Sequence, residues 1–195
     1  MFDSLPEPWL SFLKELDAGA SSDCAFHCIG GFVVTYVYGS RRTTSDLDVL
    51  SLPLMTGDDR HRHVIELGSE GSALHRKYGV YLDCVTVSTL PDGYEERLVE
   101  LCLGVFRYLR LFAPDPYDLA LSKLERNQQH DRDDVKHLAL TVPLDLNLLQ
   151  ERYHTEMRPY LGRVEREDLT LKLWIEMIEE ERSRRTAPEA KPQRD

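Results

Sequence analysis

The pair Gly30-Gly31 is the feature that most narrows the fold. It ends Ala25–Ile29, an apolar stretch with the character of a buried strand, and opens Phe32–Tyr38, whose spacing suits a helix that stops at Gly39. Asp46–Leu50 then returns to the alternation of a strand. The order strand, Gly-Gly turn, helix, strand is that of an α+β chain.

Upstream, Trp9–Leu16 reads as a short helix. Downstream, His61–Glu66 and Ser72–Lys77 read as a helical or irregular connection, and Val80–Val87, rich in β-branched and aromatic residues, as a strand. Pro91–Gly93 turns the chain, and Glu95–Leu98, Glu100–Leu103 and the apolar run to Phe112 read as a further strand or two. From Pro114 the pattern becomes helical. Asp115 has the chemistry of an N-cap, Pro116 suits the first helical position, and Tyr117–Arg126 is amphipathic. Asp133–Leu140, Asp145–Met157 and Asp168–Arg182 each carry helical spacing, whereas Thr186–Asp195 has the polar, proline-bearing composition of a disordered tail.

A chain of 195 residues fits one compact domain or a domain with a helical appendage. No apolar run is long enough to span a bilayer and Met1–Pro8 lacks the charged start of a secretory signal, so the expected location is cytoplasmic. Cys24, Cys28, Cys84 and Cys102 lack disulfide-framework spacing and are expected to be thiols. A net charge of -10 argues against a protein that wraps a long duplex, although positive residues cluster at Arg41–Arg42, Arg60–Arg62, Arg107–Arg110 and Lys123–Arg126.

The chemistry concentrates between Gly30 and Asp48. Residues two apart on a strand share a face, so Asp46 and Asp48 present paired carboxylates while Leu47 and Val49 face the core. Paired carboxylates suit a hard cation such as Mg²⁺ that keeps phosphates in its shell. Gly30-Gly31 would let backbone amides approach a phosphate, Thr44 could add a hydroxyl, and Arg41 or Arg42 could grip phosphate oxygens or pair with Asp46. Asp83 interrupts an apolar strand, where a lone buried charge would be costly unless paired or metal-bound, and is the candidate third carboxylate and general base. Zinc at Cys24, His27 and Cys28 is disfavoured, because strand alternation sends His27 to the face opposite Cys24. Asp118 reads as a cap or salt-bridge partner of its helix, and Asp131–Asp134 as a cation or nucleotide ligand or, more ordinarily, a charged first helical turn.

Gly30-Gly31, the Arg42-x-Thr44-x-Asp46-x-Asp48 stretch and Asp83 together resemble the minimal nucleotidyltransferases of the polymerase-β-like superfamily. The string Pro116–Arg126 followed by Asp131–Asp134 is similar to the helical half of their AbiEii-like branch, which includes toxins of toxin–antitoxin pairs. The resemblance covers roughly residues 24–140. It implies a small mixed sheet flanked by helices, with a nucleotidyltransferase core over residues 1–113, a packed helical region over 114–183 and a tail over 184–195. It also implies a nucleoside triphosphate donor such as ATP, Mg²⁺ or Mn²⁺ at Asp46, Asp48 and Asp83, and a lysine, Lys123, that reaches the nucleotide phosphates. An exposed helix lysine would be the ordinary reading of Lys123 without it. Gly39-Ser40 lies closer to Asp46 than the superfamily's Gly-Ser pair usually does, so the phosphate turn is assigned to Gly30-Gly31 and Ser40 is given no nucleotide role. The acceptor is left open among RNA or a tRNA end, a protein hydroxyl such as one on a cognate antitoxin, and a small molecule such as an aminoglycoside. A non-catalytic nucleotide- or partner-binding module on the same fold is the alternative.

Overall fold

The structure is a computed structural model in which residues 5–50, 59–86 and 88–186 are described. Helix α1 (Trp9–Gly19) turns Trp9, Phe12, Leu13 and Leu16, one helical stripe, into the core. Strand β1 (Cys24–Ile29) leads directly into α2 (Gly30–Tyr36), and β2 (Asp46–Leu50) follows. Helices α3 (Asp59–Gly68) and α4 (Ala73–Tyr78) form the connection to β3 (Tyr81–Val85). β4 (Val99–Leu101) and β5 (Leu109–Ala113) complete the strands. The second half holds α5 (Pro116–Leu121), α6 (Gln129–Thr141), α7 (Leu146–Arg152) and α8 (Val164–Thr186).

The sheet is mixed, in the order β3-β2-β1-β5-β4. β1 runs antiparallel to β2 and parallel to β5, β2 is parallel to β3, and β4 is antiparallel to β5. Side-chain alternation divides the faces. Leu47 and Val49 of β2, Cys24, Phe26 and Cys28 of β1, and Leu109 and Leu111 of β5 are all buried in the core. The opposite face carries Asp46, Asp48 and Leu50, with Tyr81, Asp83 and Val85 across β3 and Ile29 beside Asp48 on β1. The carboxylate of Asp17, near the end of α1, accepts the backbone N–H groups of Arg107, Tyr108 and Leu109 at 3.0, 2.7 and 2.9 Å and so fixes the entry to β5.

Two expectations give way. Glu95–Leu98 is not a strand: Tyr94–Arg97 forms a 3₁₀ turn, because Gly93 adopts a left-handed conformation and Arg97 is drawn into a buried ion cluster. The run Tyr117–Arg126 is not one helix either. α5 stops at Leu121, and Ser122–Arg126 continues in turns, with Asn127 left-handed at its end. By contrast Asp115 does cap α5, accepting from the N–H groups of Tyr117 and Asp118, with Pro116 next to it. Asp145 caps α7, whose path continues through a π turn at Tyr153–Met157. Val87 and the tail beyond Thr186 lie outside the described residues. None of the four cysteines is in a disulfide, and no helix among the described residues is long and apolar enough to cross a membrane.

Candidate functional site

Gly30 shows why the turn at the start of α2 carries glycine. Its φ is +72°, and a Cβ built there would lie 1.7 Å from Oδ2 of Asp48. The backbone at the strand-to-helix junction is thus pressed against the carboxylate of the neighbouring strand. Gly31 makes a second close approach: a Cβ there would fall 2.5 Å from Nη2 of Arg42 and 3.4 Å from Oγ1 of Thr44. Thr44 in turn donates its hydroxyl to Oδ1 of Asp46. Gly39, also left-handed, ends the turn after α2, where the Ser40 N–H reaches Val34 O at 3.1 Å and Ser40 Oγ accepts from Arg42 N. Ser40 therefore works in the chain reversal.

Asp48 and Asp83 are direct neighbours in the parallel β2–β3 register, and Asp46 shares their face. Burial raises the Asp48 carboxyl to about 6, with the charges of Asp46 and Asp83 adding to the rise and those of Arg126 and Lys123 opposing it. Asp83 corrects the reasoning that singled it out. β3 is an edge strand and Asp83 is exposed, so its ionisation needs no buried partner. Its position on the carboxylate face is set by register.

A cavity of about 310 Å³ opens against Asp48 and Gly30, and across it lie Ser122, Lys123 and Arg126 from the turns after α5. Its lining takes in neither Asp46 nor Asp83, nor Gly31, Thr44, Arg41 or Arg42. The two arginines line a separate cavity of about 570 Å³ beside Gly39, with Lys136 and Arg185. Arg42 pairs with Asp134 rather than with Asp46, at 3.2 Å.

Lys123 departs from the ordinary picture of a surface lysine. It is 3% exposed, donates from Nζ to Asp134 Oδ2 at 2.8 Å, and stands 3.9 Å from Asp131 Oδ1. Arg126 makes a two-pronged bond to Asp131, at 2.9 and 2.6 Å, and Asp131 also accepts the Gln128 N–H in a capping box at the start of α6. Burial works to raise the Asp131 carboxyl, but the bonds from Arg126 and Gln128 outweigh it and hold the group below its ordinary value. Asp131 thus occupies the expected first helical turn, yet buried and paired. Asp134 was named only as part of the acidic run Asp131–Asp134, although a signal set it apart: Asp131, Asp134, Val135 and Leu138 form one helical stripe, and all four are buried.

Oxygen donors on one face suit a hard divalent cation, and the Asp48 carboxyl is raised by its burial first and by the charges of Asp46 and Asp83 after it. Among the described residues, no three His, Cys, Asp or Glu side chains form a group that could hold a metal ion. The zinc reading fails for the reason the alternation gave, since His27 lies on the face away from Cys24 and Cys28 and bonds Tyr94 Oη through Nδ1 at 3.1 Å.

The family model of a nucleotidyltransferase of unknown function (DUF6036) matches residues 11–182. No curated protein matches the chain, and no solved structure matches it.

Proposed function

The chain belongs to this family of nucleotidyltransferases of unknown function, and on that premise we propose that it moves a nucleoside monophosphate from a nucleoside triphosphate to a hydroxyl acceptor, with a divalent cation. The observation that carries the reading is the facing of Asp48 and Gly30 across one small cavity by Lys123 and Arg126. A carboxylate and two cations lining one cavity of this size suit a phosphate chain together with its counter-ion.

In this reading Asp46, Asp48 and Asp83, which share a face but are not gathered into a three-ligand group, would hold Mg²⁺ or Mn²⁺ only together with oxygens of the donor's phosphates. When bound, the ion neutralises charge on the phosphates during transfer. The chain's own residues do the positioning. Thr44 orients Asp46 through its hydroxyl. Lys123 and Arg126 bind phosphate oxygens, while Asp134 and Asp131 keep those two cations aimed into the cavity. The Gly30-Gly31 backbone offers the close approach that a side chain would block. Asp83, exposed beside Asp48, takes the acceptor's proton as its oxygen bonds to the α-phosphorus and pyrophosphate leaves.

RNA, including a tRNA end, and a protein hydroxyl are the acceptors favoured, and a toxin held by a cognate antitoxin is the physiological setting that goes with them. The test is incubation of the wild type and Asp48→Ala with each α-³²P-labelled nucleoside triphosphate, Mg²⁺, total RNA and cell protein. Label on RNA or on protein with the wild type alone supports the transfer and names its acceptor class. If no donor leaves label on any acceptor, the proposal falls, and nucleotide binding without transfer becomes the better description.

A further inference from the structure

Beside the phosphate cavity lies a second one, of about 420 Å³, walled by Tyr94 and Tyr160 and by the acidic side chains of Asp92 and Glu95. The two cavities share Val85 and Ser88 in their linings, so they adjoin. Their charges differ. The first sets Lys123 and Arg126 beside Asp48 and Glu125, whereas the second has Asp92 and Glu95 and, among the described residues, no lysine, arginine or histidine in its lining. An extended anion would be repelled from the second cavity. A molecule with phosphates at one end and an uncharged ring with N–H groups at the other would match both.

We propose that this second cavity is the subsite for the base of the nucleoside triphosphate donor. The inference rests on the nucleotidyl-transfer reading and adds the residues that select the donor. Leu50 and Leu90 supply apolar walls, the Tyr94 and Tyr160 rings offer faces for stacking, and the carboxylates accept hydrogen bonds from base amino or imino groups. Bases with an exocyclic amino group are therefore preferred to uracil.

The wall is a built one. The turn that carries Asp92, Tyr94 and Glu95 is held by Arg97, which donates to Asp92 O at 3.2 Å and to Glu156 at 2.7 Å, and grips Asp118 with two bonds at 2.8 and 3.1 Å. Asp118 is fully buried, and Asp92 N donates to Glu156 O at 2.8 Å. Tyr94 is fixed through its hydroxyl to His27. Tyr160, 66% exposed, follows the same segment as Glu156. A rigid, anchored wall with one exposed aromatic edge is what an incoming ring would close.

The experiment measures equilibrium binding of α,β-methylene analogues of ATP, GTP, CTP and UTP, and of inorganic tripolyphosphate, to the full chain with Mg²⁺. The analogues carrying amino groups are expected to bind more tightly than tripolyphosphate. Tyr160→Ala should weaken them roughly tenfold and leave tripolyphosphate unchanged, in line with the worth of one base–aromatic stack. Glu95→Gln should weaken the amino-bearing analogues more than the UTP analogue. If nucleotides and tripolyphosphate bind alike and Tyr160→Ala is silent, the base lies elsewhere while the transfer reading stands. If neither nucleotides nor tripolyphosphate bind, the transfer reading itself fails and takes this one with it. Kanamycin binding that Tyr160→Ala weakens and that leaves nucleotide affinity unchanged would give the cavity to a cationic acceptor and overturn the assignment.

Discussion

Nζ of Lys123 lies 2.8 Å from Oδ2 of Asp134, and each side chain is only 3% exposed. The pair is not symmetric. Asp134 also holds Arg42, whereas the second carboxylate partner of Lys123 among the described residues is the more distant Asp131. Asp134→Ala strands a buried ammonium and should cost about 3–5 kcal/mol, while Lys123→Met leaves Asp134 with Arg42 and should cost about half of that. Urea denaturation of both variants checks the order, and a more damaging Lys123→Met would contradict it. Both should lose transfer.

Gly30 and Gly39 share a left-handed backbone but not its surroundings. Nothing lies within 4 Å of a Cβ at Gly39, so Gly39→Ala should cost only the conformational penalty, about 1–2 kcal/mol. Gly30→Ala meets the Asp48 carboxylate as well and should cost clearly more, with loss of nucleotide binding. Adding Asp48→Ala should restore part of the stability and none of the activity. Melting temperatures of the three variants read this out, and equal losses at the two glycines would show that the close approach carries no energy.

A carboxylate that is half-buried among like charges is held at a cost. Asp48→Asn should therefore abolish transfer yet raise the stability of the cation-free protein at pH 7.5, by about 1 kcal/mol once solvent screening is allowed for. Calorimetry without divalent cation tests this. A less stable Asp48→Asn protein would mean that the local hydrogen bonding of Asp48 outweighs its burial.

Hydrogen bonds from Arg158 Nε, at 2.9 Å, and Tyr153 Oη, at 2.7 Å, pull the carboxyl of Asp168 down to about 2. A lowered acid pKa stabilises the fold above the unfolded value of 3.8, and that contribution fades as pH falls through about 2. Asp168→Asn should melt a few degrees below the wild type at pH 6, the pair being partly exposed, and the gap should close towards pH 2. A gap independent of pH would assign the effect to packing.

What the sequence made legible was local. Alternation gave β2 as Asp46–Leu50, and helix chemistry gave Asp115 as a cap, because each signal is contained in a few consecutive residues. Strand order was beyond it. Asp83 was singled out as a charge in an interior strand, and only pairing shows β3 to be an edge; its nearness to Asp48 is a fact of register. The 3₁₀ turn at Tyr94–Arg97 was hidden for a similar reason, since Arg97 finds Asp118 and Glu156 across 21 and 59 residues of chain. Asp134 was legible in principle, as a charge on the apolar stripe of α6, but the run of acids around it read most ordinarily as a charged first helical turn.

Asp134 is also a junction between distant parts of the chain: Arg42 reaches it from before β2, Lys123 from after α5, and it sits on α6 itself. Any cut placed between Arg42 and Lys123 and downstream of Asp83 leaves the three acidic strand residues on one fragment and Lys123, Arg126 and Asp134 on the other. The molecule is therefore a natural candidate for split-protein complementation, in which triphosphate binding reports whether two separately expressed pieces have found each other.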